Sequence, residues 1–178
     1  MKAGQPAGPL RLGTIKDMAE IVIRPALQKD FEVLWDFLAI AAYEPDAASA
    51  KAVPIVADHL AGWQRAGDFG FIAEQGGAAI GAAWARQFSP LEQPAFYLDE
   101  RTPEISIAVK AHARGRGLGQ RLLQAMLFEA ARRGVRLCLN VRHDNPALRL
   151  YERMGFRVLP DRIIPNRVGG RSIGMVSG

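Results

Sequence analysis

The sequence predicts an α/β domain in which strands and helices alternate along the chain. Three observations lead there. Arg114 to Arg133 (RGRGLGQRLLQAMLFEAARR) reads as a basic glycine loop that runs straight into an amphipathic helix. Ahead of it, Ile105, Ile107 and Val109 alternate with Ser106 and Ala108, which is the period of a strand. Behind it, a second alternating run leads to Asn145-Pro146, an N-cap followed by proline at the first helical position.

Residues 1–19 have no periodicity and are rich in Gly and Pro at the start. They are expected to form a flexible tail ahead of a single domain spanning 20–178. Ile21 to Arg24 is a short first strand ended by Pro25. A helix follows through Phe31, Leu34, Trp35, Leu38 and Ala41, spaced three and four apart. Tyr43 to Ala52 reads as a loop. Pro54 opens a second helix through Ile55, Leu60 and Trp63 that stops near Gly67. Phe69 to Glu74 and Ile80 to Phe88 form a hairpin across Gln75-Gly76-Gly77. Ser89 to Pro103, with three prolines, is a long connection, and Glu104 to Val109 is the fourth strand.

In the central helix, Leu118, Leu122, Met126 and Ala130 recur every four residues, and Leu123 and Leu127 widen the apolar stripe. Arg132 and Arg133 suit the negative end of the helix dipole, and Gly134 can take the positive φ that ends a helix. Val135 to Val141 is a fifth strand. The helix opened by Asn145-Pro146 carries Ala147, Leu150, Tyr151 and Met154 and ends at Gly155. Phe156 to Leu159 and Arg171 to Val176 close the chain as strands six and seven.

Composition narrows the function. Hydrophobic residues make up 49% and charged residues 23%, ordinary values for a globular chain of 178 residues. No apolar run approaches the length of a membrane span, and the N-terminus lacks the apolar core of a signal peptide, so a cytoplasmic protein is expected. The single Cys138 excludes an internal disulfide and reads as a small buried hydrophobe. His59, His112 and His143 have no metal-ligand spacing, so no metal is expected. The net charge of +5 is unevenly shared. Residues 1–109 carry 9 basic and 14 acidic side chains, and residues 110–178 carry 14 and 4. The second half suits a polyanion and the first half something cationic or neutral.

The glycine loop is suited to phosphate. The first N–H groups of a helix have no internal partner and point beyond its end, where the dipole places positive charge. Glycines let an anion approach, and Arg114 and Arg116 add charge. A P-loop is excluded, because no lysine follows the glycines. The dinucleotide fingerprint is excluded too, because it would need glycine where Gln120 stands. What remains is R-x-x-G-x-G, read as Arg114, Gly117 and Gly119. It resembles the acyl-CoA pyrophosphate loop of the GNAT superfamily of N-acyltransferases.

A second segment strengthens the resemblance. NPALRLYERMGF, Asn145 to Phe156, is similar to the N-x-x-A-x-x-L-Y-x-x-x-G-F segment of GNAT acetyltransferases, with Ala147 one place early. The order of elements also matches. The resemblance implies a mixed, mostly antiparallel sheet of six to seven strands with helices on both faces, strands four and five splaying apart. It implies that the backbone of Ile107, Ala108 and Val109 pairs with the pantetheine arm of acetyl-CoA. The pyrophosphate would lie on Arg114, Gly115, Arg116, Gly117, Leu118, Gly119 and Gln120. Asn140 and Asn145 could bond the arm, although capping alone also accounts for Asn145. Tyr151 falls at the general-acid position, or is a core aromatic. Glu104 is the first candidate base for an amine acceptor, with Asp99 and Glu100 as alternatives and a solvated strand-end carboxylate as the plain reading. The acceptor pocket would draw on Trp35, Tyr43, Glu44, Trp63 and residues 96–101.

The function expected is therefore an acetyl-CoA-dependent N-acetyltransferase acting on a primary amine of a small molecule or protein. A non-catalytic acyl-CoA-binding regulatory module is one alternative. A nucleic-acid-binding protein is another, disfavoured because Phe128, Tyr151 and Phe156, the aromatics after residue 110, fit packing positions. The oligomeric state, a homodimer included, stays open.

Overall fold

The computed structural model describes residues 20–92 and 94–178; the expected N-terminal tail, residues 1–19, lies outside them. The strands are β1 (Ile21–Pro25), β2 (Phe69–Gln75), β3 (Ala78–Arg86), β4 (Glu104–Val109), β5 (Cys138–Arg142), β6 (Phe156–Pro165) and β7 (Arg171–Ser177). The helices are α1 (Phe31–Ala42), α2 (Ala47–Ala52), α3 (Pro54–Ala57), α4 (Leu118–Arg133) and α5 (Leu148–Arg153). The sheet runs β1-β2-β3-β4-β5-β7-β6. Every neighbouring pair is antiparallel except β4 and β5.

The parallel pair decides where a site can form. It is held by one residue pair, Glu104 opposite Cys138, and by the Cys138 N–H donating to the Pro103 carbonyl at 3.0 Å. From Ile105 onward β4 pairs with β3 on one side and has no strand partner on the other, among the described residues. The two strands open as expected.

Each face of the sheet carries its own core. On one, α4 buries Leu118, Leu122, Leu123, Met126 and Ala130 against Ile105, Leu139 and Tyr151. On the other, α1 buries Leu34, Trp35, Phe37 and Leu38 against Ala82, Trp84 and Ala108. The small residues of β3 let both helices come close. A Cβ on Gly81 would stand 3.1 Å from Leu122 Cδ1. The β2–β3 hairpin turns through Gly76 (φ 56°) and Gly77 (φ 79°), the backbone of a two-residue turn that matches strand twist.

Several boundaries differ from the sequence reading. Residues 47–52 are helical, because Asp46 caps them by accepting the Ser49 N–H at 2.8 Å. The helix from Pro54 stops at Ala57; positive φ at Gly62 and Gln64 turns the chain, and Trp63 points inward to donate to the Ala85 carbonyl at 3.0 Å. Strand β5 starts at Cys138, because Leu137 bonds instead to Ser177, its N–H to Oγ at 2.9 Å and its carbonyl to N–H at 2.8 Å. Strand β6 runs on to Pro165, with a register shift between Val158 and Ile163 that absorbs Pro160 and Asp161.

Candidate active site

Two cavities meet in the opening between β4 and β5. One, about 390 Å³, lies on the α1 side, and its walls include Glu44, Val56, His59, Phe96, Glu104 and Asn140. The other, about 590 Å³, runs along the glycine loop and the start of α5. Ala41, Tyr43, Ile107, Asn145 and Tyr151 line both. Side chains alternate along β4, so Glu104 shares the α1 face with Ala108, whereas Tyr151 packs in the α4 core. The candidate base and the candidate acid stand on opposite faces of the sheet, with the opening between them.

The second cavity gathers the expected phosphate-binding residues. Ile107, Ala108, Val109, Arg114, Gly115, Gly117, Leu118, Gly119, Gln120 and Asn145 all line it; Arg116 is exposed and stands outside its lining. Gly115 (φ 73°) and Gly117 (φ 74°) take left-handed backbone that a side chain disfavours, and Gly117 is the N-cap of α4. The next three N–H groups have no intrahelical partner. Arg114 folds back to donate to the Val109 carbonyl at 3.0 Å, tying the loop to the end of β4.

Around the first cavity, Glu104 is 4% exposed and so is no solvated strand end. Its Oε1 accepts the Asn140 amide at 2.6 Å, and His59 Nε2 lies 3.7 Å from the same oxygen. Its Oε2 is buried without a partner. Asn140, expected to touch the pantetheine arm, thus orients Glu104. Asp99 and Glu100 do not line the cavity. Asp99 closes a turn by accepting the Arg101 N–H and the Thr102 hydroxyl, both at 2.8 Å. Tyr43, Glu44 and Phe96 line the cavity as expected, but Trp35 and Trp63, each 5% exposed, belong to the core.

Asn145 does cap. Its Oδ1 accepts the Ala147 N–H at 2.9 Å, a turn that delays the regular helix to Leu148. Its amide donates to the Tyr43 hydroxyl at 3.0 Å, and Arg142 stacks on the Tyr43 ring at 4.8 Å. Arg167, on the turn between β6 and β7, donates to Glu44 and to the Ala42 carbonyl. These contacts strap the end of α1 across the mouth of the opening.

Tyr151 is 7% exposed and meets Phe156 edge-on at 6.0 Å. Loss of solvation, with a smaller contribution from Tyr43, pushes its phenol up to about 12. Burial, and then the Glu104 carboxylate, push the Cys138 thiol well above its ordinary range, so Cys138 is an inert core thiol whose Sγ donates to the Thr102 carbonyl at 3.5 Å. Sequence reasoning missed His59, Arg142 and Arg167. No local pattern marks them, since each reaches the cavity from a different segment. Among the described residues no group of His, Cys, Asp and Glu could hold a metal ion, and no helix is long and apolar enough to cross a membrane.

Residues 27–156 match the model of the acetyltransferase (GNAT) family. The chain belongs to this family. Over 77 residues it is 35% identical to the candidate phosphinothricin acetyltransferase YwnH of Bacillus subtilis (strain 168). That stretch is 42% of this chain and 45% of YwnH, so the chain matches less than half the length of this curated relative.

Solved structures share the fold over nearly the whole chain. A GNAT-family acetyltransferase from Bordetella pertussis aligns with a TM-score of 0.67 at 22% identity, over 89% of this chain and 95% of its own. A ribosomal-protein-alanine N-acetyltransferase from Brucella melitensis gives 0.63 at 23%, over 88% and 98%. The yncA acetyltransferase of Salmonella typhimurium, solved with its cofactor acetyl-CoA, gives 0.63 at 21%, over 89% and 92%.

Proposed function

We propose that the protein is an acetyl-CoA-dependent N-acetyltransferase that transfers an acetyl group directly to a primary amine. The observation that carries this reading is the pair of cavities joined at Ile107, Asn145 and Tyr151, one ending on a glycine-led helix and the other on a buried carboxylate. The acetyl-CoA named with the Salmonella neighbour supports the donor. Acceptors named for the relatives, a ribosomal-protein alanine and phosphinothricin, differ from one another, and this chain's acceptor is a primary amine of a small molecule or protein.

The residues divide the work. Backbone N–H groups from Arg114 to Gln120 hold the pyrophosphate at the positive end of α4. The unpaired edge of Ile107, Ala108 and Val109 takes the pantetheine arm as an added strand, and Asn145 borders it. A primary amine with a pKa of about 10 is mostly an ammonium at neutral pH and has no free lone pair. Glu104, oriented by Asn140, takes its proton. A β4 N–H stabilises the oxyanion as the nitrogen attacks. Tyr151 protonates the departing sulfur. Its raised pKa keeps the phenol protonated, and the same poor solvation makes the thiolate more basic, so the two remain matched.

Calorimetric titration with acetyl-CoA, and thiol release against a panel of primary amines, test the proposal together. Binding with amine-dependent thiol release is expected; binding without release from any amine would leave a regulatory CoA binder instead. Gly117→Glu should abolish binding, because it sets a carboxylate at the helix N-terminus and strains left-handed backbone. Unchanged affinity in that variant would remove the loop from the site.

A further inference from the structure

His59 stands on the turn after α3, and three contacts set its place. Its carbonyl accepts the Trp84 indole N–H at 3.0 Å. Its ring meets Phe88 edge-on, with centroids 5.8 Å apart. Its Nε2 lies 3.7 Å from Glu104 Oε1. Two buried polar atoms of this group have no hydrogen-bond partner: His59 Nδ1 and Glu104 Oε2. Buried polar atoms are nearly always paired, so two unpaired ones on adjacent residues of one cavity wall call for a functional reason.

The stoichiometry of the reaction supplies that reason. As the C–N bond forms and the C–S bond breaks, an acceptor ammonium gives up two protons. One ends on the sulfur of CoA. The other must reach solvent. The Glu104 side chain is 3% exposed and exchanges poorly with bulk water, whereas that of His59 is 18% exposed, at atoms other than the buried Nδ1, so the ring takes up and releases the proton at Nε2. An imidazole gains and loses protons near neutral pH. No other described residue with a titratable side chain has both contact with Glu104 and access to solvent: Cys138, opposite it on β5, is buried.

We propose that His59 is a proton relay, taking from Glu104 the proton that the acceptor gives up and delivering it to solvent. The proposal rests on Glu104 being the base. His59 acts through Glu104, so it is a positioning and relay residue and not itself a catalytic one. Other charges leave the pair alone. Arg86, across from Glu104 on β3, directs its guanidinium to Asp68 at 3.2 Å and to the Phe88 ring at 5.9 Å. Asp58, beside His59 on the same turn, is exposed. Among the described residues, Glu104 is the one carboxylate in salt-bridge reach of the ring.

His59→Gln and Glu104→Gln test it. Thiol release is followed at saturating acetyl-CoA with the fastest amine of the panel, in dilute buffer and again with added imidazole. His59→Gln should lower kcat by about tenfold in dilute buffer, less than the roughly 10²–10⁴-fold of a group that itself transfers the proton to or from substrate. It should leave acetyl-CoA affinity unchanged and recover as imidazole is added, whereas Glu104→Gln should not recover. A loss that imidazole does not restore, or an unchanged kcat, overturns the relay. Failure of the transferase reading looks different: the unmutated protein then binds no acetyl-CoA or releases no thiol, and the relay falls with it.

Discussion

Tyr151 shows how one side chain's environment sets its chemistry. A phenol in water has a pKa of about 10. Here burial raises it to about 12, so the proton stays on throughout the neutral range. Folding raises this pKa, so the protonated form is held across the neutral and alkaline range and is lost only as pH climbs past the folded value. At saturating substrates, kcat should therefore show no alkaline fall below about pH 10, the ordinary phenol value. Tyr151→Phe should lower kcat by about a hundredfold, the low end of general-acid effects, with acetyl-CoA affinity unchanged. Full activity in that variant would return Tyr151 to the core. Its position in the Asn145 to Phe156 segment is a local pattern and could be read from the sequence. The burial of Glu104 could not, because its partners Asn140 and His59 come from distant parts of the chain.

Two elements carry predictions of their own. At the end of α4, Arg132 and then Arg133 hold the Glu129 carboxyl down at about 2, through bonds of 2.9 and 2.7 Å. A depressed folded pKa contributes stability above the unfolded value of 4.5 that is lost as pH falls towards 2. The Tm advantage over Glu129→Gln should thus be full at neutral pH and gone near pH 2, as circular dichroism melts would record. A constant difference would mean that the pairs contribute nothing. On β7, a Cβ at Gly174 would lie 2.7 Å from Arg162 Cβ and 2.9 Å from Phe96 Cδ1. Neither is the free end of a flexible chain, so Gly174→Ala must displace Phe96, which lines the cavity beside Glu104. It should cost about 1–3 kcal/mol of stability and raise KM for the amine, with acetyl-CoA binding unaltered in calorimetry. The close approach of β6, β7 and Phe96 is tertiary, and nothing near Gly174 in the sequence announces it.

At the scale of the whole molecule, the open β4–β5 pair is a cleft that a ligand can close. A ligand that binds only the folded state stabilises it by about 2.7 kcal/mol at a hundred times Kd. For a domain of this size that corresponds to a rise in Tm of roughly 5–10 °C, readable by scanning calorimetry with added CoA. No shift with CoA would argue against a preformed cleft. What the sequence determined by itself was local: the strand before the glycine loop, the amphipathic stripe of α4, the hairpin at Gly76-Gly77, and the Asn145 and Tyr151 segment. Periodicity and turn chemistry act between near neighbours, so they survive without any knowledge of the fold. The tertiary structure alone decided that Glu104 is buried, that Asn140 orients it from 36 residues away, that His59 stands beside it, and that Tyr43 reaches Asn145 across 102 residues. Those contacts follow from strand order and from the faces that α1 and α4 cover, which bring distant segments to one opening in the sheet.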